Sequence, residues 1–442
     1  MAPASAPELR DRALSLFRVA LDAVEPGRLT CAALSRLPSE IRRALELRKG
    51  RLIAIAAGKA ACPMAQAAED AFQGLLSRGL AVVPRGHEGK LRRLRTLTAG
   101  HPLPDEAGVA ATAAVVEEVA RLTEADVVLV LLSGGASALL GGPVEGVTLE
   151  DARATVALLL ESGVPIDAVN DVRKHISVLG GGQLVRAARP AHVIALAMSD
   201  VPGDRLDVVA SGPTVPDPST FGDALAVLDR YGLRARVPEA VRKRLERGAR
   251  RGSGAPKETP KRGDPLFERV ETALIGSNAT ALEAAARAAR EAGYRVALIR
   301  EPVQGEAREA GAALAATLLG ERAAGRAPVC LLAGGETTVV VRGDGLGGRN
   351  QEVALGAAFS LGGERSVALL AAATDGRDGP TAAAGAVVDG GTLPDAEARG
   401  LDARAALARN DSLRFFEGLG YGHIVTGPTL TNVMDVYVGI AT

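Results

Sequence analysis

Lysine is scarce in this chain, with seven lysines against forty-five arginines. Where arginine carries nearly every generic positive charge, a lysine inside a motif marks a place for a compact ammonium. Lys59 and Lys174 stand inside motifs; the other five fall on surface or loop segments. Lys59 follows the apolar run Arg51–Ala57 and Gly58, so it caps a predicted buried strand. There it suits a phosphate as a point charge. A lysine snorkelling from a strand end would give the same pattern.

The second cation lies in GGETTVVVRGDGLGGRNQE, Gly334 to Glu352. The β-branched run Thr337–Val341 predicts a strand. Gly343, Gly345, Gly347 and Gly348 then loosen the backbone, as glycines do where a ligand must approach the main chain. Arg349 arrives beside a predicted helix start at Asn350, where unpaired N–H groups attract anions. A planar guanidinium there reads as an oxyanion or phosphate contact. Glu336, Gly347, Gly348 and Asn350 are candidate neighbours for substrate or phosphate. A hairpin turn with a solvated arginine is the plain alternative.

Other strand ends carry polar groups. Ser133-Gly134-Gly135-Ala136-Ser137 reads as strand, glycine pair and helix, a turn whose N–H groups can form an anion nest. Asn170 to His175 packs polar residues, among them Arg173 and Lys174, ahead of Gly180-Gly181-Gly182. These suit substrate or phosphate, or simply a solvated helix face. Asp200 and Asp204 close another strand and could hold a hard cation through oxygen, or make a turn. Asp375 and Asp378, each followed by glycine, suit Mg²⁺ or a general base at a strand end. Asn432 sits in a late polar loop and reads as pocket wall.

The elements that must position these groups alternate. Apolar strands at Arg51–Ala57, Leu94–Thr98, Val127–Leu132 and His192–Ala197 are separated by helical stretches such as Ala107–Thr123 and Leu149–Ser162. Such alternation predicts a mostly parallel sheet flanked by helices, with ligands outside the carboxyl ends of the strands. The first 45 residues read as helical, with Leu14, Phe17, Ala20 and Leu21, then Leu34, Ile41 and Leu45, at helix spacing. Residues 250–264 are rich in Gly, Pro and charge and predict a linker or mobile loop. The expected domains are therefore 1–249, an α/β unit, and 265–442, a second α/β unit.

Composition narrows the classes. The chain has 442 residues, 47% hydrophobic and 24% charged, with a formal net charge of +0. That length predicts two cores. Neutral charge and 2% aromatics disfavour nucleic acid as the main partner. No apolar run approaches the roughly 20 residues of a membrane span, and no signal peptide is evident. Three scattered cysteines, without CxxC spacing, suggest a reducing, cytoplasmic setting. The oligomeric state stays open between monomer and homodimer. Neither a Walker A motif nor GxGxxG is read anywhere in the chain, which disfavours P-loop kinases and standard dinucleotide folds. Two cations, acids at strand ends and glycine nests are what phosphoryl transfer asks for.

The strings LSGGASALL, NDVRKHISVLGGGQL, SDVPGDRLDVVASGPT, GGETTVVVRGDGLGGRNQE, ATDGRDGP and TGPTLTNVMDVYV resemble those of the glycerate 2-kinases, from about residue 10 to the C-terminus. The resemblance implies a Rossmann-like N-terminal domain, a MOFRL C-terminal domain and an active site in the cleft between them. It implies ATP-dependent phosphorylation of D-glycerate at its 2-hydroxyl with Mg²⁺ or another divalent cation. Lys59, Arg349 and Asp375 match that family's essential lysine, arginine and aspartate. Members usually carry a lysine where this chain has Gly180. Some relatives are called hydroxypyruvate reductases, and NAD(P)H-dependent reduction is the alternative reading.

Overall fold

The structure is a computed structural model and describes residues 5–37, 50–250, 252–325 and 328–442. Residues 26–275 pack as one compact unit; residues 1–25 with 276–442 pack as another.

In the first unit the strands are β1 (Leu52–Ala57), β2 (Leu76–Pro84), β3 (Leu94–Ala99), β4 (Val127–Leu132), β5 (His192–Met198) and β6 (Val270–Gly276), in the order β3-β2-β1-β4-β5-β6. The pairs β1–β2, β2–β3, β1–β4 and β4–β5 are parallel. β1 and β4 are buried along their whole length, which is why they read as unbroken apolar runs. Each fully buried Ile, Leu or Val there contributes about 1.5–3 kcal/mol. The edge strand β3 is half-exposed and alternates. The order reverses direction between β1 and β4, the topological switch point where open α/β sheets bind ligands.

The second unit holds β7 (Arg295–Leu298), β8 (Val329–Gly335), β9 (Val367–Ala373), β10 (Gly385–Asp389), β11 (His423–Ile424) and β12 (Asp435–Ala441), in the order β11-β10-β9-β12-β8-β7. Only β7–β8 is parallel among its strand pairs; β8–β12, β12–β9, β9–β10 and β10–β11 are antiparallel. The helix Arg349–Leu361 is buried nearly all round. It lies close against the helix Ala307–Ala323. A Cβ on Gly311 would stand 2.0 Å from the Val353 carbonyl oxygen, and one on Gly356 would stand 2.3 Å from that of Arg308. Glycine is required at both places.

Three expectations change. Residues 1–25 do not belong with the first sheet. The helix Ala6–Ala23 buries Leu9, Ala13, Leu16, Phe17 and Ala20 and packs on the helix Asn278–Glu291 and on β9 and β12. Arg10 pairs with the buried Asp389. Helical periodicity shows that a face is apolar, not which core receives it. The segment 250–264 is likewise no free linker: Thr259 is buried, and the Pro260 carbonyl accepts from the Asp217 N–H at 2.9 Å. The change of unit falls at Ile275/Gly276 instead. Finally, Thr337–Val341 is not a strand. Only Thr338 makes an isolated bridge, and Val341 is 75% exposed. β-branched residues favour extended backbone, but a ladder needs a partner strand. Ile41 and Leu45 lie outside the described residues.

Candidate functional site

In the first unit, Lys59 and the glycine pair meet at the switch point. The turn after β1 crosses the turn after β4: the Lys59 N–H donates to the Gly134 carbonyl (2.9 Å), and the Ala60 N–H donates to Ser133 Oγ (3.0 Å). Gly58 has φ +122°, and a Cβ there would lie 2.2 Å from Ser133 Oγ. No other residue fits. Sequence thus sets Lys59 at the end of β1, and the crossing fixes it beside Ser133-Gly134-Gly135.

Next to this crossing is a cavity of about 360 Å³, lined by Gly135, Ser137, Arg173, Gly180, Ser211 and His101 among others. Ser137 Oγ and Ser211 Oγ are hydrogen-bonded at 2.9 Å. Ser211 donates to Asn170 Oδ1 (3.2 Å), which also accepts from Arg173 Nη1 (3.4 Å). Ala210 (φ +54°) and Ser211 (φ +61°) both lie in the left-handed region. Such strain in adjacent non-glycine residues is costly and clusters at functional sites. Among the described residues no carboxylate pairs with Arg173, and burial pushes its pKa down. A guanidinium lining a cavity keeps its charge there at a desolvation cost that an anion would offset.

Lys174, next in sequence, does not share this role. It is 1% exposed and bonds Asp217 (3.2 Å) and Asp207 (3.4 Å). Asp217 also accepts from Ser219 and Thr259. On a helix, neighbouring side chains point about 100° apart, so Arg173 faces the cavity while Lys174 faces the interior. Its expected phosphate contact is therefore replaced by a buried ion pair.

The metal expectation rests on two aspartates beyond β5. Asp200 lies two residues beyond β5, and Asp204 sits in the turn after it with φ +53° and a buried Oδ1 that has no hydrogen-bond partner. Among the described residues no group of three or more His, Cys, Asp or Glu is placed to hold a metal ion. The two aspartates do not make a closed protein cage.

In the second unit, β12 runs antiparallel between β8 and β9 and places Asp435 opposite Gly335 and Ala373. The segments following β8 and β9, which carry Glu336 and Asp375, therefore lie at the same edge as Asp435. Arg349 grips the fully buried Asp435 with two bonds, Nε to Oδ2 at 2.6 Å and Nη2 to Oδ1 at 2.9 Å. Its Nη1 is 2.8 Å from Glu336 Oε1. Burial alone would lower the Arg349 pKa; the hydrogen bonds and charge of Asp435, with Glu336 beside it, hold it above the ordinary value. The guanidinium is thus fixed in place and permanently charged. Asp375 follows β9 and is half-buried; its Oδ1 accepts from the Arg377 N–H (3.0 Å). The preceding Thr374 is tied to the late loop through the Met434 carbonyl and the Val433 N–H. Asn432 Oδ1 accepts from the Met434 N–H within that loop (3.4 Å).

The helix start at Asn350 is not an open anion site. Asp378 caps it: Oδ1 accepts from the Asn350 N–H (2.9 Å) and Oδ2 from the Gln351 N–H (2.8 Å). Burial pushes the Asp378 carboxyl up to about 6, although these hydrogen bonds pull the other way. Asn350 is fully buried, so it supports the helix end and does not face a ligand. Gly348 exists to admit the cap, since a Cβ there would lie 2.2 Å from Asp378 Cγ. A Cβ on Gly347 would lie 2.1 Å from Ser412 Oγ. Both glycines serve packing. Of the two acids expected at this strand end, Asp378 is thus the helix cap.

Residues 343–348, GDGLGG, do spell GxGxxG. No strand precedes them, and Gly343 and Gly345 press on Arg409 and Asp411, where a Cβ would lie 2.5 Å from either. With the helix start already capped, this is no dinucleotide turn. Asp435, Ser211 and His101 were not among the candidates read from the sequence. Asp435 had a signal, as an acid opening an apolar strand; the others are single polar residues without pattern. The two buried cysteines are inert packing groups, with Cys330 pushed by burial up to about 12. No helix among the described residues is long and apolar enough to cross a membrane.

The chain matches two family models: a domain of unknown function, DUF4147, over residues 12–246, and the MOFRL family over residues 329–435. It is 39% identical over 442 residues to a glycerate 2-kinase of Pyrococcus horikoshii, covering 98% of each chain. It is 41% identical over 436 residues to a D-glycerate 2-kinase of Thermotoga maritima, again covering 98% of each. A putative hydroxypyruvate reductase of Agrobacterium vitis is 40% identical, over 95% of this chain and 92% of that one. The crystal structure of a glycerate kinase from Thermotoga maritima superposes with a TM-score of 0.86 at 40% identity, over 99% of this chain and 100% of that one. Two domain models in order, full-length relatives and a matching crystal structure place this chain in the glycerate 2-kinase family of enzymes.

Proposed function

We propose that the protein transfers the γ-phosphoryl group of ATP to the 2-hydroxyl of D-glycerate, giving 2-phosphoglycerate and ADP. The observation that carries this reading is the switch-point cavity, where Arg173 faces inward without a carboxylate partner beside the Lys59 and Gly135 turns. Both substrates are anions, and the chemistry is mainly positioning and charge neutralisation. In this reading Lys59 and Arg173 hold oxyanions, with Ser133, Gly134, Gly135 and Ser137 donating around them. Arg349, locked by Asp435, neutralises the transferring phosphoryl oxygens. Asp375 accepts the hydroxyl proton.

Mg²⁺ enters as part of the nucleotide substrate. It keeps most of its waters and takes one or two carboxylates along with phosphate oxygens. Asp200 and Asp204 fit that limited demand, the latter through its unpartnered Oδ1. The ion would offset charge on the phosphates.

The test is direct. Purified protein is incubated with D-glycerate and Mg-ATP, and ³¹P NMR separates 2- from 3-phosphoglycerate. A parallel incubation with hydroxypyruvate and NAD(P)H follows nicotinamide absorbance. Formation of 2-phosphoglycerate with no nicotinamide oxidation is expected. Nicotinamide oxidation without phosphorylated product would overturn the reading.

A further inference from the structure

The switch-point cavity is larger and more apolar than D-glycerate needs. Every carbon of glycerate carries oxygen, so it offers nothing to a hydrocarbon wall. Yet beyond Arg173 the lining turns to Leu103, Leu140, Val156, Leu160 and Ile176. Leu160, at the mouth of this lining, is 50% exposed. The helix Leu149–Glu161 presents Arg153, Val156 and Leu160 at i, i+3 and i+7, so one helical face carries a guanidinium and an apolar stripe together. Arg153 pairs with no carboxylate among the described residues, and no Asp or Glu lines the cavity. The site therefore suits a ligand with a flat apolar part and several negative charges.

We infer that this apolar end holds the nucleoside of ATP, with Arg153 on its phosphates and the phosphate chain directed past Arg173 toward Gly135 and Ser137. A purine ring has two apolar faces for the Val156 and Leu160 side, and it uses most of a volume that glycerate would leave empty. The inference rests on the kinase reading above and localises its nucleotide. Arg153, Val156 and Leu160 become the residues that set nucleotide affinity.

The experiment splits the nucleotide into its two halves. Calorimetry on the full chain measures adenosine and inorganic tripolyphosphate separately, and steady-state kinetics give KM for ATP and for D-glycerate. Wild type should bind both probes. Val156→Trp, which fills the apolar end, should abolish adenosine binding and raise KM for ATP by about tenfold or more, with tripolyphosphate binding and KM for glycerate kept within about twofold. Arg153→Ala should weaken tripolyphosphate and leave adenosine unchanged. If Val156→Trp does not fold by circular dichroism, Leu160→Asp at its half-exposed position carries the same expectation as Val156→Trp. A rise in KM for glycerate with KM for ATP unchanged overturns the inference, as does no change in either. An active wild-type kinase that fails to bind adenosine overturns it too. A wild type that binds adenosine but does not phosphorylate glycerate sinks the kinase reading and leaves the nucleoside site standing.

Discussion

Lys59→Ala should lower kcat/KM by about 2–4 kcal/mol of transition-state stabilisation, the scale of one lost charge-stabilising donor. Stopped assays with glycerate and ATP measure it, and a rate close to wild type would remove Lys59 from the chemistry. Arg349→Lys keeps the charge but cannot bond both oxygens of Asp435, so the head group loses its fixed direction. A fall of about ten- to a thousandfold in kcat is expected, since misdirected charge stabilises the transition state poorly. Asp375→Asn keeps shape and loses basicity. If Asp375 accepts the proton, kcat drops and the Mg²⁺ dependence stays as it was. A raised Mg²⁺ requirement with kcat recovered at saturating metal would assign it to the ion instead.

At the scale of elements, Arg349 is only as well placed as the helix it opens. Asp378 satisfies two backbone N–H groups at the start of helix Arg349–Leu361, and also accepts from Gln351 Nε2 at 3.1 Å. Asp378→Ala leaves buried donors unpaired, at about 1–3 kcal/mol for each such group. Urea unfolding should show a loss of that size or more, with activity falling further because Arg349 is displaced. Unchanged stability would mean that water replaces the cap. Gly58 plays the matching part in the first unit. Gly58→Ala would set a methyl 2.2 Å from Ser133 Oγ at a φ of +122°, so this variant should misplace both the Lys59 turn and the Ser133 turn. The same argument explains why Lys174 is unavailable. Its helix turns Arg173 to the cavity and gives Lys174 to Asp217 and Asp207.

For the molecule as a whole, acid stability reports the packing of residues 252–264 against the first unit. Burial alone would raise the Glu258 pKa, but hydrogen bonds from His175 and from the Phe221 N–H draw it down to about 2 from 4.5. A carboxylate depressed by folding adds stability that is fully present above 4.5 and is lost as pH falls toward about 2. The advantage of wild type over Glu258→Gln in urea should therefore be largest near pH 6 and shrink near pH 3. A gap independent of pH would show that Glu258 is not held by this network. Lys59 and Arg349 stand on different units. If both act on one phosphoryl group, the double variant Lys59→Ala/Arg349→Lys should lose less than the sum of the single losses. Strict additivity would separate their roles.

Local pattern was enough to read β1, β3, β4 and β5 of the first unit, but it missed β2 and placed β6 in the second domain. The central strands β1 and β4 are buried along their whole length and read as continuous apolar runs, and the turn at Gly58, which approaches another backbone, demands glycine. Lys59, Arg349 and Asp375 stood out as candidates because each lies beside glycine in a turn. Which apolar face meets which core was not legible. The helix Ala6–Ala23 carries an ordinary amphipathic stripe, and only the tertiary fold assigns it to the second sheet. Nor does residue type tell a buried charge from one facing a ligand. Arg173 and Lys174 are adjacent and alike on paper, and the helix turn alone gives one an open cavity and the other two carboxylates. Asn350 and Asp378 looked like a binding site because a helix start and an acid attract polar ligands. In the fold Asp378 instead accepts from the Asn350 N–H, because partners 28 residues apart in sequence are brought to hydrogen-bonding distance only by the packed chain.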